Sequence, residues 1–427
     1  MASPLIPLSL SLCFNLRALA TSRGTSIFLH EVLEKVVGVG ISYTVIHVQH
    51  IRCAVKHGKQ PKVFTLFTLS FAVLGATMLF SSAVLRRFSA GLCVRVGIIL
   101  YNLMYLLLIL TQENALTFMP LIAALNGLGM AFYWVSYTVL LNEHTTVGTR
   151  ASAQSFLRLF GSVVCFVCPV ISTTILSLFN KQGRNGQDLL GYMILFSLAF
   201  AVSLVTAVFS FRLKSTSEQR KKTAFRAVAK QIFTRREWYA ANAAEISRGF
   251  HNGIFQFLIS LLVFQLVMDE RWVGVDSFVA GVAAIISSLM ATRFLRRHNY
   301  IKSIVLSNSI LLLAVCLLLL KMNVLTLIIL TGVIELTGAF FIPPSTLIYY
   351  ELMEADTKTK NIVPEVLAFR EMFLNLGRCA GIVFYLAVPK EHDFIAAVMI
   401  GILLLQFGTA ALGSLTAKNA KRIQGDE

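Results

Sequence analysis

RLKSTSEQRKKTAFRAVAKQIFTRR, residues 212–236, is the most hydrophilic run in the chain and decides how the rest is read. It holds nine Lys/Arg and one acid, Glu218. On either side lie about 190–210 residues of nearly unbroken apolar sequence. The pattern is two hydrophobic halves joined by one basic hinge.

Composition excludes a soluble globular domain. The 427 residues are 56% hydrophobic and 14% charged, with a mean hydropathy of +0.73. Soluble domains carry about 25% charged residues, and a single apolar core stops growing well below this length. Most of the chain therefore sits in lipid. The net charge of +17 falls in short runs between apolar segments. That distribution fits loops beside anionic lipid, not a nucleic-acid patch. Of the seven cysteines, Cys165 and Cys168 form a CxxC, but inside an apolar run without nearby His or acids. A packing role is favoured over a metal or redox site.

A span needs about 20 apolar residues. Twelve segments qualify, roughly 25–49, 63–84, 92–111, 117–142, 152–179, 189–211, 246–268, 274–292, 301–320, 323–350, 363–388 and 392–416. Residues 1–24 read as an interfacial lead-in. The predicted division is a six-helix bundle at 25–211, a cytoplasmic basic linker at 212–240, a second six-helix bundle at 241–416 and a cytoplasmic tail at 417–427. The Lys/Arg bias puts both termini in the cytoplasm of a multi-pass plasma-membrane protein. The basic loop with Arg52, Lys56, Lys59 and Lys62 conflicts with this orientation, and the hinge and tail outvote it.

The halves repeat. Leu85–Arg86–Arg87 returns 210 residues later as Leu295–Arg296–Arg297. At an offset of 208, Ala131, Phe132, Thr138 and Glu143 match Ala339, Phe340, Thr346 and Glu351. The expected fold class is thus an all-α polytopic membrane protein with twelve transmembrane helices in two six-helix bundles. A parallel repeat of this kind places a site near the midplane between the halves.

Three runs carry a resemblance: GLGMAFYWVSYTVLLNE (127–143), SRGFHNGIFQFLISLLV (247–263) and FREMFLNLGR (369–378). With the 6+6 layout and basic central loop, they resemble a branch of small bacterial members of the major facilitator superfamily whose substrates are mostly unassigned. Two departures stand out. The run VLRRFSAGLCVR (84–95) lacks the acid the superfamily places in its loop between the second and third helices. Cys168 stands before Pro169, where the antiporter signature has Gly.

Ionisable groups inside spans are costly and are functional candidates by default. In the first segment Glu31, Glu34 and Lys35 read equally as a cavity-lining stripe or as a self-neutralised interfacial pair. In the fourth, Asn126 and Tyr133 share a face. Trp134 there can stack on substrate, though filling a helix seam is the commoner role, and Gly127 and Gly129 permit close packing. The seventh opens with a Glu245–Arg248 pair three apart. Arg248, Asn252 and Gln256 run down one face, and His251, where a hydrogen-bonded structural role is favoured, lies beside them. Glu335, in the tenth, is the acid nearest the midplane; it reads either as a group that exchanges a proton as the cavity changes face, the role favoured, or as a carboxylate held by a cation or by helix-end donors. Pro343–Pro344 should break or kink that helix. The eleventh carries Arg370, Glu371, Asn375 and Arg378, which with Arg158 form either a cytoplasmic gate, an anion-binding cluster or a structural salt-bridge network.

No nucleotide-binding, zinc-protease or hydrolase-elbow motif occurs. ATP-driven transport within this chain and common enzyme chemistry are disfavoured, and no cofactor or metal is expected. The expected function is secondary active transport of an unknown small-molecule or amphiphilic substrate by alternating access, with protons as candidate coupling ion. The alternatives are a flippase for lipid or lipid-linked substrates and a non-transporting sensor or scaffold. The expected partner is the lipid bilayer, not nucleic acid, and the expected state is a monomer.

Overall fold

The computed structural model describes residues 60–111, 117–145, 190–211, 225–267, 270–320, 323–356, 362–387 and 392–425, with scattered positions between 161 and 179. Its long helices are α1 Gln60–Arg87, α2 Ala90–Thr111, α3 Met119–His144, α4 Leu190–Ser210, α5 Phe225–Thr234 and α6 Arg236–Val267. They continue as α7 Glu270–Phe294, α8 Tyr300–Leu320, α9 Val324–Ala355, α10 Val363–Ala387 and α11 His392–Gly425. Ten of the twelve expected spans coincide with one of these helices. The expected span at 25–49 lies outside the described residues, and 152–179 is described only in part.

Among the described residues, eight helices are long and apolar enough to cross a bilayer. Helix is the available form there because an unpaired backbone amide in hydrocarbon costs several kcal/mol. The exposed surface agrees. Phe80 and Leu110 are 72% and 71% exposed, and Val208, Leu313 and Leu405 are similarly open. So much exposed apolar surface suits lipid rather than water.

Packing repeats along the chain. α2 packs on α3, α1 on α3 and α2 on α4. The same pairings recur as α8 on α9, α7 on α9 and α8 on α11. α1 and α7 start 210 residues apart, as do α2 and α8, which is the offset of the Leu–Arg–Arg repeat. α6 and α10 form the most extensive helix pair, and α10 also packs along α1.

Local signals set several ends. Asn323 caps α9, its side chain accepting from the Thr326 amide at 2.8 Å while the Asn323 amide donates to Thr326 Oγ1 at 3.0 Å. This reciprocal box satisfies two otherwise orphaned donors. α3 begins with Pro120 in its first turn, where no amide is needed.

Two expectations need correction. α9 is not broken at Pro343–Pro344 but runs unbroken from Val324 to Ala355. In hydrocarbon the rest of the ladder has no water to turn to, so the helix is kept on both sides of the two prolines. Ser345 and Thr346 both donate to the Ile342 carbonyl, at 2.9 and 3.1 Å. The hinge is also not wholly a connecting loop. Its second half forms α5, and α6 already begins at Arg236. Ile232 and Trp238 are buried there, an apolar anchoring that the charge of the run conceals.

Candidate functional site

Among the described residues, α6 and α10 approach backbone to backbone. Gly249 and Gly253 on α6 face Gly377 and Gly381 on α10. A Cβ added at any of the four would collide with backbone of the other helix: the Leu374, Arg378, Ile246 or Phe250 carbonyl. Each helix thus presents a small-xxx-small stripe, the spacing that brings two backbones together in a membrane.

That contact brings buried charges together. Glu245 and Arg248, three apart on α6, form an ion pair through Glu245 Oε2. The other oxygen, Oε1, accepts from Arg370 Nε of α10 at 3.2 Å. Thr346 of α9 joins the same two arginines: its Oγ1 accepts from Arg248 Nη1 at 2.7 Å and from Arg370 Nη2 at 3.2 Å. Glu245, Arg248, Thr346 and Arg370 therefore close a ring across three helices. Arg248 Nη1 also donates to Ser345 Oγ at 3.3 Å, and Arg370 Nη1 donates to Glu371 at 2.8 Å. The Arg370 guanidinium lies 5.7 Å from the Tyr349 ring centre and 5.8 Å from that of Tyr350. Arginine suits such a node because its planar fork offers several donors at fixed angles. Glu245, Arg248 and Arg370 are all buried, so removing one partner would strand a charge in a low-dielectric site.

The polar network continues toward α1. Asn375 Nδ2 donates to the Glu371 carbonyl at 2.8 Å, and Arg378 Nη1 donates to Asn375 Oδ1 at 3.0 Å. Arg378 stands 5.2 Å over the Phe71 ring of α1. Cys379 Sγ lies 3.6 Å from the Thr68 carbonyl, and Gly75 faces Asn375 Cβ. A small crevice lies between α6, α8, α9 and α11, lined by Glu245, Ser345, Tyr349 and Thr409 among others. The ring thus borders a small, largely apolar crevice as well as the α1–α10 seam.

The remaining described candidates are not members of the ring. Glu335 is half-buried on α9, eleven residues before Thr346, or about 16 Å along the helix. His251 is buried on α6, stacked on Phe255 at 4.3 Å with the Phe341 ring at 6.2 Å. Tyr133 is buried on α3, where its backbone closes on Gly97 of α2. Its ring stacks with Tyr137 at 6.1 Å and meets Trp134 edge-on at 5.6 Å. Asn126 is half-buried on the same helix. Gly127 and Gly129 sit against the Ser70 and Gly97 carbonyls of α1 and α2. Glu31, Glu34, Lys35 and Arg158 fall outside the described residues, as does the side chain of Gln256.

Several contributors escaped sequence reasoning. Thr346 was visible only as a repeat match. The glycine stripes were legible as spacing, but not their partner. Asp276, buried on α7, is a further acid inside a span. Asp356, just past α9, binds Arg235 Nη1 at 2.9 Å and accepts from Trp238 Nε1 at 3.3 Å.

A family model described as Major Facilitator Superfamily matches residues 39–382. The uncharacterized protein YqgE of Bacillus subtilis is 28% identical over 298 residues. That alignment covers 69% of this chain and 66% of the relative, so this chain spans just under two thirds of its length. The fold is shared with the fucose:proton symporter FucP of E. coli, at a TM-score of 0.65 and 9% identity over 95% of this chain and 99% of that one. It is shared too with the human organic anion transporter MFSD10, at 0.65 and 12% over 91% and 99%.

Proposed function

Because the chain belongs to the Major Facilitator Superfamily, we propose that it works as a secondary transporter of a small solute by alternating access between two six-helix halves. The recurring helix pairings support the two halves. Residues 212–240 are the joint between them, and the basic end of the molecule faces the cytoplasm.

The observation that carries the site is the ring of Glu245, Arg248, Thr346 and Arg370. A buried ionic node in a spanning region is expensive to keep. This one sits where α6, α9 and α10 meet and connects through Asn375 and Arg378 to the seam with α1. We assign it the role of a fixed inner-gate element that the two access states bring against α1 or away from it. Glu335, nearer the midplane, is the proposed proton carrier, with the acids of the first segment as further candidates.

The test is uptake into proteoliposomes of the full chain, with sugars, organic anions, drugs and glycolipids offered across an imposed pH gradient. Gradient-driven uptake of a soluble compound supports the proposal. Movement of glycolipid alone would favour a flippase. No movement of any compound would favour a sensor or scaffold. Orientation is tested by single cysteines at His57 and Ser217 in a cysteine-free background. Opposite-side labelling is expected, and same-side labelling would reject the twelve-helix count.

A further inference from the structure

The linker helix α5 is fastened to the ends of the spanning helices yet leaves one side open. Its Phe233 ring meets Phe369 and Phe373 of α10 edge-on, at 6.1 and 5.8 Å. Ile232 is buried. Just beyond it, Arg235 and Trp238 are held by Asp356 at the end of α9. Lys230 near the end of α5 and Arg236 at the start of α6 are both exposed, and in the same stretch Phe233 and Tyr239 stay 53% and 50% exposed.

Other basic groups gather at the same end. Arg297 pairs with Glu351 of α9 at 2.7 Å, and Asn419 of α11 donates to the Glu237 carbonyl of α6 at 3.2 Å. These contacts put the α7–α8 turn, the end of α11 and the start of α6 at one level. Arg293, Arg296, Lys302 and Lys421 are exposed there. The acids turn inward: Glu351 serves Arg297, Asp356 serves Arg235, and Glu365 is buried. None of the described acids at this end is exposed.

A face bathed only by water needs cations but no open aromatics. Cations and half-exposed aromatic rings together, at the ends of membrane spans, match the headgroup layer of a bilayer. We propose that α5 and the adjoining start of α6 form a binding site for anionic phospholipid headgroups. Lys230 and Arg236 take the phosphate, and Phe233 and Tyr239 lie at the boundary with the acyl chains. A juxtamembrane cation adds about fivefold to such binding. The site requires the spanning reading of the helices but not transport.

The test uses the full-length protein equilibrated in detergent micelles holding equal phosphatidylglycerol and phosphatidylcholine, with retained lipids counted by native mass spectrometry. Wild type should retain phosphatidylglycerol preferentially. The double variant Lys230→Gln/Arg236→Gln should lose that preference about 25-fold with phosphatidylcholine retention unchanged. Both positions are exposed, and an unchanged thermal midpoint will verify the fold. Equal retention of the two lipids by wild type, or an unaltered preference in the variant, overturns the proposal. So does a phosphatidylglycerol preference abolished by the variant only where the protein has unfolded. Lipid retention is read without any solute, so this site and the transport reading fail separately.

Discussion

Arg370 on α10 reaches Glu245 on α6, Nε to Oε1 at 3.2 Å, while Arg248 holds the other oxygen of the same carboxylate. One acid therefore pairs with a cation on its own helix and with another 125 residues away. Glu245→Gln should destabilise the protein by about 3–5 kcal/mol, because two buried guanidiniums lose their shared charge. Thermal unfolding in detergent measures it. A double-mutant cycle with Arg370→Leu should return a coupling of at least ~1 kcal/mol. Additive effects would mean that the contact has no energetic weight.

Thr346 accepts from both arginines. Thr346→Val keeps the shape and removes the acceptor, so a loss of about 1.5–3 kcal/mol is expected for hydrogen bonds to charged groups. Thr346→Ser keeps the hydroxyl and should stay within about 1 kcal/mol of wild type. If the two variants unfold at the same temperature, the hydroxyl is not part of the node.

Not every glycine is alike. Gly249→Ala or Gly377→Ala drives a methyl into the facing backbone and should cost about 1–3 kcal/mol. Gly401 lies in α11 with nothing within 4 Å of an added Cβ. Gly401→Ala should be neutral or stabilising by about 0.5–1 kcal/mol, as in any open helix position. Thermal midpoints of the three variants, ranked against wild type, decide the matter.

Asp356→Asn should loosen the linker where it joins α6. The Arg235 ion pair at 2.9 Å is lost, and Trp238 keeps a weaker acceptor. Limited trypsin digestion should cut after Lys230 or Arg235 severalfold faster than in wild type. Equal digestion rates would place the hold on α5 elsewhere, in the Phe233 contacts.

Glu335→Gln tests proton coupling. The amide cannot ionise, so pH-driven uptake should be lost while solute exchange without a gradient persists. Retention of gradient-driven uptake would remove Glu335 as the carrier.

Much of the architecture was legible before the structure, for physical reasons. A bilayer demands runs of apolar residues, so the helices α1 to α4, α7 to α9 and α11 announce themselves by hydropathy. Repeat spacing was legible because α1 and α7, like α2 and α8, occupy matching places. Within the site, Glu245 and Arg248 were readable as a pair because they lie three apart on one helix. Their third and fourth partners were not. Arg370 and Thr346 come to them only through tertiary packing, and that packing depends on glycines whose partner helix no local pattern identifies. Trp238 and Ile232 were hidden for a different reason: their neighbours are so basic that the stretch reads as solvent-facing.

The glycine contact has a mechanical consequence. Helices whose backbones touch, with a closed ionic ring beside them, make a stiff unit: parting α6 from α10 would open a void and strand charge at once. The α10–α1 seam is joined through softer contacts, a guanidinium over Phe71, a thiol near the Thr68 carbonyl and Asn375 against Gly75. Compliance is thus unevenly distributed, and a rocking motion would carry α6 and α10 together as one lever while yielding along the face of α1.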